Sequence, residues 1–219
     1  MDAATFVEQL GAANQEILSR LAPVETLMAE SGGDLRLENL LKIALKNELE
    51  ATEIAARWLV STPEVDVKLA LARQAGDEAK HYRLIETHLQ ELGEDLSGFD
   101  PLAQGFGPLF TYLDSLEDTV ARVAAGQFTR EAIAVVKNQQ FIDLCNARGY
   151  TATATLYRDT IQKDEEYHHL LGRTLLLRLA TTPAAQERAR RAATRTLELA
   201  EELQHLALTK LGIHHAPGC

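Results

Sequence analysis

The chain has 219 residues and a formal net charge of −10, enough length to bury one full core and the wrong sign of charge for a phosphate-backbone partner. Its composition, 46% hydrophobic and 25% charged, is that of a folded domain and excludes a disordered or low-complexity chain. No apolar run approaches the ~18 residues that a membrane span needs, and the opening Met1-Asp2-Ala3-Ala4 has no signal-peptide pattern, so a cytoplasmic protein is expected.

Apolar residues recur at helical spacing throughout and strand-like alternation is absent, which predicts an all-α fold. A first helix covers about 3–20, with Pro23 and Gly32-Gly33 at its exit. A second runs from Asp34 to about Val60 and stops at Ser61-Thr62-Pro63, where Thr62 and Pro63 also offer a cap and first turn to the next. The third extends to Leu92 and ends at Gly93; a Gly- and Pro-containing stretch to Pro108 then breaks the period. A fourth helix spans about 110–148 and ends at Gly149, a fifth runs from Thr151 to Ala180, and Thr182-Pro183 opens a last one to about Leu211. The spacing thus predicts two hairpins, 34–92 and 110–180. About 18 connecting residues reach up to ~60 Å when extended, against ~42 Å for a 28-residue helix, so the connection can cross the bundle and leave its flanking helices parallel.

The chemistry lies in the apolar seams. The second helix reads Leu37, Leu41, Ala44, Glu48, Ala51, Ala55, Trp58, and the third Val67, Leu71, Gln74, Glu78, His81, Ile85, His88, Leu92. The fourth reads Val120, Ala124, Gln127, Glu131, Ala134, Asn138, Phe141, Cys145, and the fifth Ala154, Arg158, Ile161, Glu165, His168, Gly172, Leu175, Leu179. Each core-facing stripe is interrupted at one level by Glu, and two of them by Glu-x-x-His. A buried carboxylate costs several kcal/mol in lost hydration, and several together repel one another. Two divalent cations neutralise four carboxylates. Depth agrees: Glu48 and Glu78 are centred on the turn at Pro63, and Glu131 and Glu165 on the turn at Gly149. In antiparallel hairpins that puts each pair at one height.

Glu-x-x-His occurs four times. Glu202-x-x-His205 lies off its helix's Leu199, Leu203, Leu206 stripe and reads as a surface pair. Glu166-x-x-His169 is flanked by Gln162 and Arg173, whereas Glu165-x-x-His168 is flanked by Ile161, Gly172 and Leu175 and faces the core. Glu50 and Glu53 fall outside the seam and read as solvated. Cys145 and Cys219 form no CxxC pair, which excludes a rubredoxin-type iron site. His88 reads as a hydrogen-bonded core histidine, Tyr157 as core packing with a redox role open, and Arg188 to Arg191 as a solvated helix face.

One Glu on each of two helices with Glu-x-x-His on two others resembles the ferritin-like di-iron and di-manganese carboxylate proteins, including the rubrerythrin, bacterioferritin and oxygenase types. The strings Asp77-Glu78-Ala79-Lys80-His81 and Asp164-Glu165-Glu166-Tyr167-His168 are similar to D-E-x-x-H strings of that superfamily. The resemblance covers about 34–180 and implies a ferritin-like four-helix bundle with one long crossover; the helices at about 3–20 and 183–211 depart from the short bacterioferritin plan, and the length makes 1–219 a single domain. The resemblance also implies two iron ions, with manganese open, held by Glu48, Glu78, His81, Glu131, Glu165 and His168. Glu78 and Glu165 would bridge, and Asp77 and Asp164 would hydrogen-bond the far nitrogen of the opposite helix's histidine. The implied function is an oxidoreductase that activates O2 or peroxide, with an organic substrate open; the alternative is a ferroxidase or iron-handling protein. Helical surface patterning on the first and last helices adds the expectation of a homodimer, with neither nucleic acid nor membrane as partner.

Overall fold

The computed structural model describes residues 1–21 and 36–209, and the side chains among them as far as 203; these residues form helices and no strand. Helix α1 is Ala3–Leu21, α2 is Leu37–Ser61 and α3 is Val65–Glu91. A connection then leads to the short α4, Pro108–Asp114. Helix α5 covers 119–148, α6 covers 151–179, and α7 is Pro183–Thr209. The all-α expectation is met. Asp34, Gly32-Gly33, Cys219 and the His214-His215 tail lie outside the described residues.

Two boundaries differ from the sequence reading. The fourth predicted helix is broken between Asp114 and Thr119, and a new helix starts where the Asp118 carboxylate accepts from the backbone N–H of Ala121 at 3.1 Å. Thr62 does not cap α3; it is buried as the C-cap of α2, and its hydroxyl accepts from the Arg122 guanidinium at 3.3 Å. The cap at Thr182 is present, its hydroxyl accepting from Ala185 N–H at 3.2 Å. Gly149, at φ +77°, ends α5 in the left-handed conformation that glycine tolerates best.

The direction of the helices follows from cross-helix pairs. Asp77 meets His168 while His81 meets Asp164, so α3 and α6 run antiparallel. Helices α5 and α6 form a hairpin about Gly149, with Gln162 reaching the carbonyl of Val135. Helices α3 and α5 are therefore parallel, and the 93–107 connection crosses the bundle.

Helix α5 is unlike any helix of a simple four-helix bundle. Residues 119–134 are buried without interruption, because α1, α6 and α7 pack around this segment. Phe6, Val7, Leu10, Ala189, Ala192 and Ala193 of the flanking helices share one core cluster with Val120, Ala124 and Phe128. The first and last helices are part of the core rather than additions to it. Close approach is built from small residues: a Cβ on Gly172 would lie 2.5 Å from the backbone of Gln127, so α6 touches α5 backbone to backbone.

Candidate metal centre

Glu48 stands on α2, Glu78 and His81 on α3, Glu131 on α5, and Glu165 and His168 on α6. All six are at most 2% exposed. Their donor atoms form two overlapping groups, Glu48, Glu78, His81, Glu165 and Glu78, Glu131, Glu165, His168, with every atom of a group within 4.8 Å of the others. Glu78 and Glu165 belong to both groups.

The histidines are oriented alike. His81 turns Nδ1 to Glu78 at 3.2 Å, Glu48 at 3.4 Å and Glu165 at 3.7 Å. Its Nε2 faces Asp164 at 3.1 Å. His168 turns Nδ1 to Glu165 at 3.4 Å and Glu78 at 3.6 Å, and its Nε2 lies 3.1 Å from Asp77. With Nε2–H given to the aspartates, each Nδ1 is turned toward the carboxylates, the orientation a metal-ligating imidazole takes. Outside them, Lys80 pairs with Asp164 at 2.6 Å and Arg73 with Asp77 at 3.3 Å. Burial raises the Asp164 carboxyl, but Lys80 and His81 outweigh it and hold the group below its usual value.

The protonation pattern exposes the strain of the metal-free cluster. Burial pushes Glu48 up to about 7 against the pull of His81. Burial, with Glu78 and Glu131 close by, pushes Glu165 well above the carboxylate range. Burial would also raise Glu78, but His81 and His168 beside it bring it down to about 2. Burial disfavours charge on His81, yet the Glu48 and Glu78 carboxylates carry it up to about 11. Protons do here what a cation would do.

Arg130 went unseen in the sequence, and the seam residue Gln74 joins it at Glu131. Arg130 is buried and its guanidinium donates to Glu131 Oε1 at 3.0 Å, while Gln74 donates to the same oxygen at 2.6 Å. Glu131 Oε2 and Glu48 Oε1 are buried and have no hydrogen-bond partner among the described residues, the condition expected of oxygens reserved for a cation. Each of α5 and α6 also carries a π-helical segment, Ala124–Arg130 immediately before Glu131 and Tyr157–Ile161 four residues before Glu165. Such segments re-aim side chains and recur at functional sites. The second one exchanges Arg158 for Tyr157 on the buried face: Arg158 is exposed and Tyr157 is fully buried. An arginine in the predicted seam was the signal.

Other residues stay outside the cluster. His88 lies 2.8 Å from the Thr153 hydroxyl as a buried, bonded histidine. His169 lies with Nδ1 2.7 Å from the carbonyl of Phe128. Glu53 pairs with Arg57 near the surface, but Glu50 departs from its solvated reading: it is buried, accepts from Gly107 N–H at 2.7 Å and lies 3.8 Å from Lys46. Leu92, assigned to the seam, is 43% exposed. Arg188 pairs with Asp118, and Arg190 and Arg191 with Glu187, on the surface of α7.

The residues fit a pair of divalent ions: carboxylate oxygens and one imidazole per ion, with no thiolate, suit iron or manganese. No helix among the described residues is long and apolar enough to cross a membrane.

No family model matches the chain. No curated protein matches it. Among solved structures, the X-ray structure of a TenA homologue from Pyrococcus furiosus is similar at 19% identity, with a TM-score of 0.65 over 92% of this chain and 99% of that one. This likeness overturns the ferritin-like assignment, and with it the di-iron oxidoreductase and ferroxidase functions implied by that assignment. The physical reason is visible in α5: any antiparallel helix bundle can bring a Glu and a Glu-x-x-His to one height, so the motif does not identify the fold around it. In this chain that surround buries α5 between flanking helices from both ends, and the likeness to the TenA homologue spans 92% of the chain, flanking helices included.

Proposed function

We propose that this chain is a metalloprotein of TenA-like fold that binds two divalent ions, of the iron or manganese kind, between α2, α3, α5 and α6. The observation that carries the reading is the pair of overlapping donor groups sharing Glu78 and Glu165. Glu48 and His81 hold one end, Glu131 and His168 the other, and Asp164 and Asp77 set the two imidazole rings. Glu131 offers Oε2 alone, since Arg130 and Gln74 occupy Oε1. Two ions held this way supply Lewis acidity and a template for an oxygen-donor ligand.

A second reading, a TenA-type function without metal, is favoured by the fold likeness. The packing favours the first: the buried donor atoms of each group lie within 4.8 Å of one another, close enough to share an ion. Titration of chelator-treated protein with Mn(II), followed by metal analysis after gel filtration, tests the choice. Two tightly held equivalents per chain support the metalloprotein; none, in folded protein, removes it.

A further inference from the structure

The overlapping Glu-x-x-His motif on α6 serves a different place from the metal centre. Glu165 and His168 enter the cluster; one position further on, Glu166 and His169 line a separate cavity of about 360 Å³ between α1, α5 and α6. None of the six metal-centre residues lines it. Its volume falls within the ~300–1,000 Å³ of small-molecule sites, which are mostly apolar with a few polar groups. The wall here is of that kind: aliphatic side chains, and Phe128, whose ring stacks on His169 with centroids 5.0 Å apart. Leu170 also lines the cavity and is 58% exposed, so the wall reaches the surface. Gly11 of α1 adds room beside the ring. A Cβ there would stand 3.7 Å from Phe128 Cζ, an ordinary contact, so packing does not require the glycine. The polar groups of the lining are chiefly acceptors. A carbonyl only accepts, so His169 gives Nδ1–H to that of Phe128 at 2.7 Å and keeps Nε2 as the acceptor of the neutral ring. Asn14 gives Nδ2–H to the Thr129 hydroxyl at 2.9 Å and keeps its amide oxygen. Glu166 has no ion-pair partner among the described residues, and no Lys or Arg lines the cavity. Glu166 and His169, with no further His, Cys, Asp or Glu in the lining, are too few donors for a metal ion.

We propose that this cavity binds a small organic ammonium ion with an apolar body. The ammonium donates to the Glu166 carboxylate and to Nε2 of His169, and the body lies against Phe128, Ala132 and the aliphatic wall. A carboxylate beside an aromatic side chain, with no competing cation, selects a cation over a neutral or anionic molecule of the same shape. The net charge of −10 draws a ligand of that sign toward the protein. The site uses no metal ligand, so the inference stands apart from the metalloprotein reading.

Calorimetric titration of the full-length chain with phenethylamine tests it, with phenethyl alcohol as the neutral analogue and ethylamine as the analogue without the ring. The amine is expected to bind saturably, and both analogues to bind about tenfold more weakly or less. Glu166→Gln should weaken the amine about tenfold, with Glu166→Asp regaining part of the loss. Gly11→Ala should weaken it several-fold while raising the melting temperature, since alanine is the better helix former and its Cβ fits. Weaker binding by a more stable protein distinguishes an occupied site from a packing gap. No saturable binding of the amine, equal binding of the alcohol, or unchanged affinity in Glu166→Gln or Gly11→Ala overturns the site.

Discussion

The imidazole Nε2 of His81 and the carboxylate Oδ2 of Asp164 meet at 3.1 Å although 83 positions separate them in the chain. His168 and Asp77 repeat the contact at 3.1 Å. Each aspartate belongs to the helix opposite its histidine, so the two donor groups are tied together through α3 and α6. Asp164→Asn leaves the packing in place but removes the charge that orders His81. It should weaken metal binding about 10- to 100-fold, and competition against a chromophoric chelator measures the loss.

The metal-free protein should become less stable as pH rises. Glu48 at about 7 and His81 at about 11 both hold protons more tightly than in the unfolded chain. A group raised in this way contributes stability that is complete below its unfolded value and lost on the way to its folded one. The window is therefore about pH 4.5 to 7 for Glu48 and about 6.5 to 11 for His81. Glu78, down at about 2, has the opposite sign, and its contribution is already complete above the ordinary glutamate value of 4.5. Urea midpoints of metal-free protein between pH 5 and 9 should fall, and metal binding, which displaces these protons, should tighten over the same range. A midpoint that rises with pH contradicts the buried cluster.

Glu165→Gln separates ligation from folding. The charged form of this carboxyl is disfavoured by burial first and by Glu78 and Glu131 next. The amide should therefore stabilise metal-free protein at pH 8 while lowering metal uptake, because one of the shared donors is gone. Thermal melts with and without Mn(II) should cross: the variant melts higher without metal and gains less from it.

Glycine positions give a test independent of metal. An alanine Cβ at Gly172 would meet backbone atoms of Gln127 and Phe128 at 2.5–2.7 Å, which cannot step aside. Gly172→Ala should cost about 1–3 kcal/mol or more. At Gly76, within α3, a Cβ meets nothing within 4 Å, and Gly76→Ala should stabilise by about 0.5–1 kcal/mol. Denaturant unfolding of both variants checks the helix spacing directly.

The six clustered residues were legible because burial and charge conflict: a Glu in an apolar stripe announces itself in the pattern, and helical spacing fixes its height. Arg130 was hidden for the opposite reason. It stands beside Glu131, off the seam, and only the complete burial of 119–134 makes its charge count. The π-helical turns were hidden because a 4-3 repeat has no register for an inserted residue, and Arg158 took the place that belongs to Tyr157. The likeness of fold escaped because local motifs describe contacts among four helices, while α1 and α7 pack around α5 outside those motifs.

The central claim is that Glu78 and Glu165 are shared by two ions. Anomalous diffraction at the manganese edge, from crystals of manganese-loaded protein, tests it most directly. The account predicts two peaks about 3.5–4 Å apart, one beside Glu48 and His81 and one beside Glu131 and His168, with Glu78 and Glu165 between them. Well-ordered crystals with no peak there, or with manganese only on the surface, contradict it.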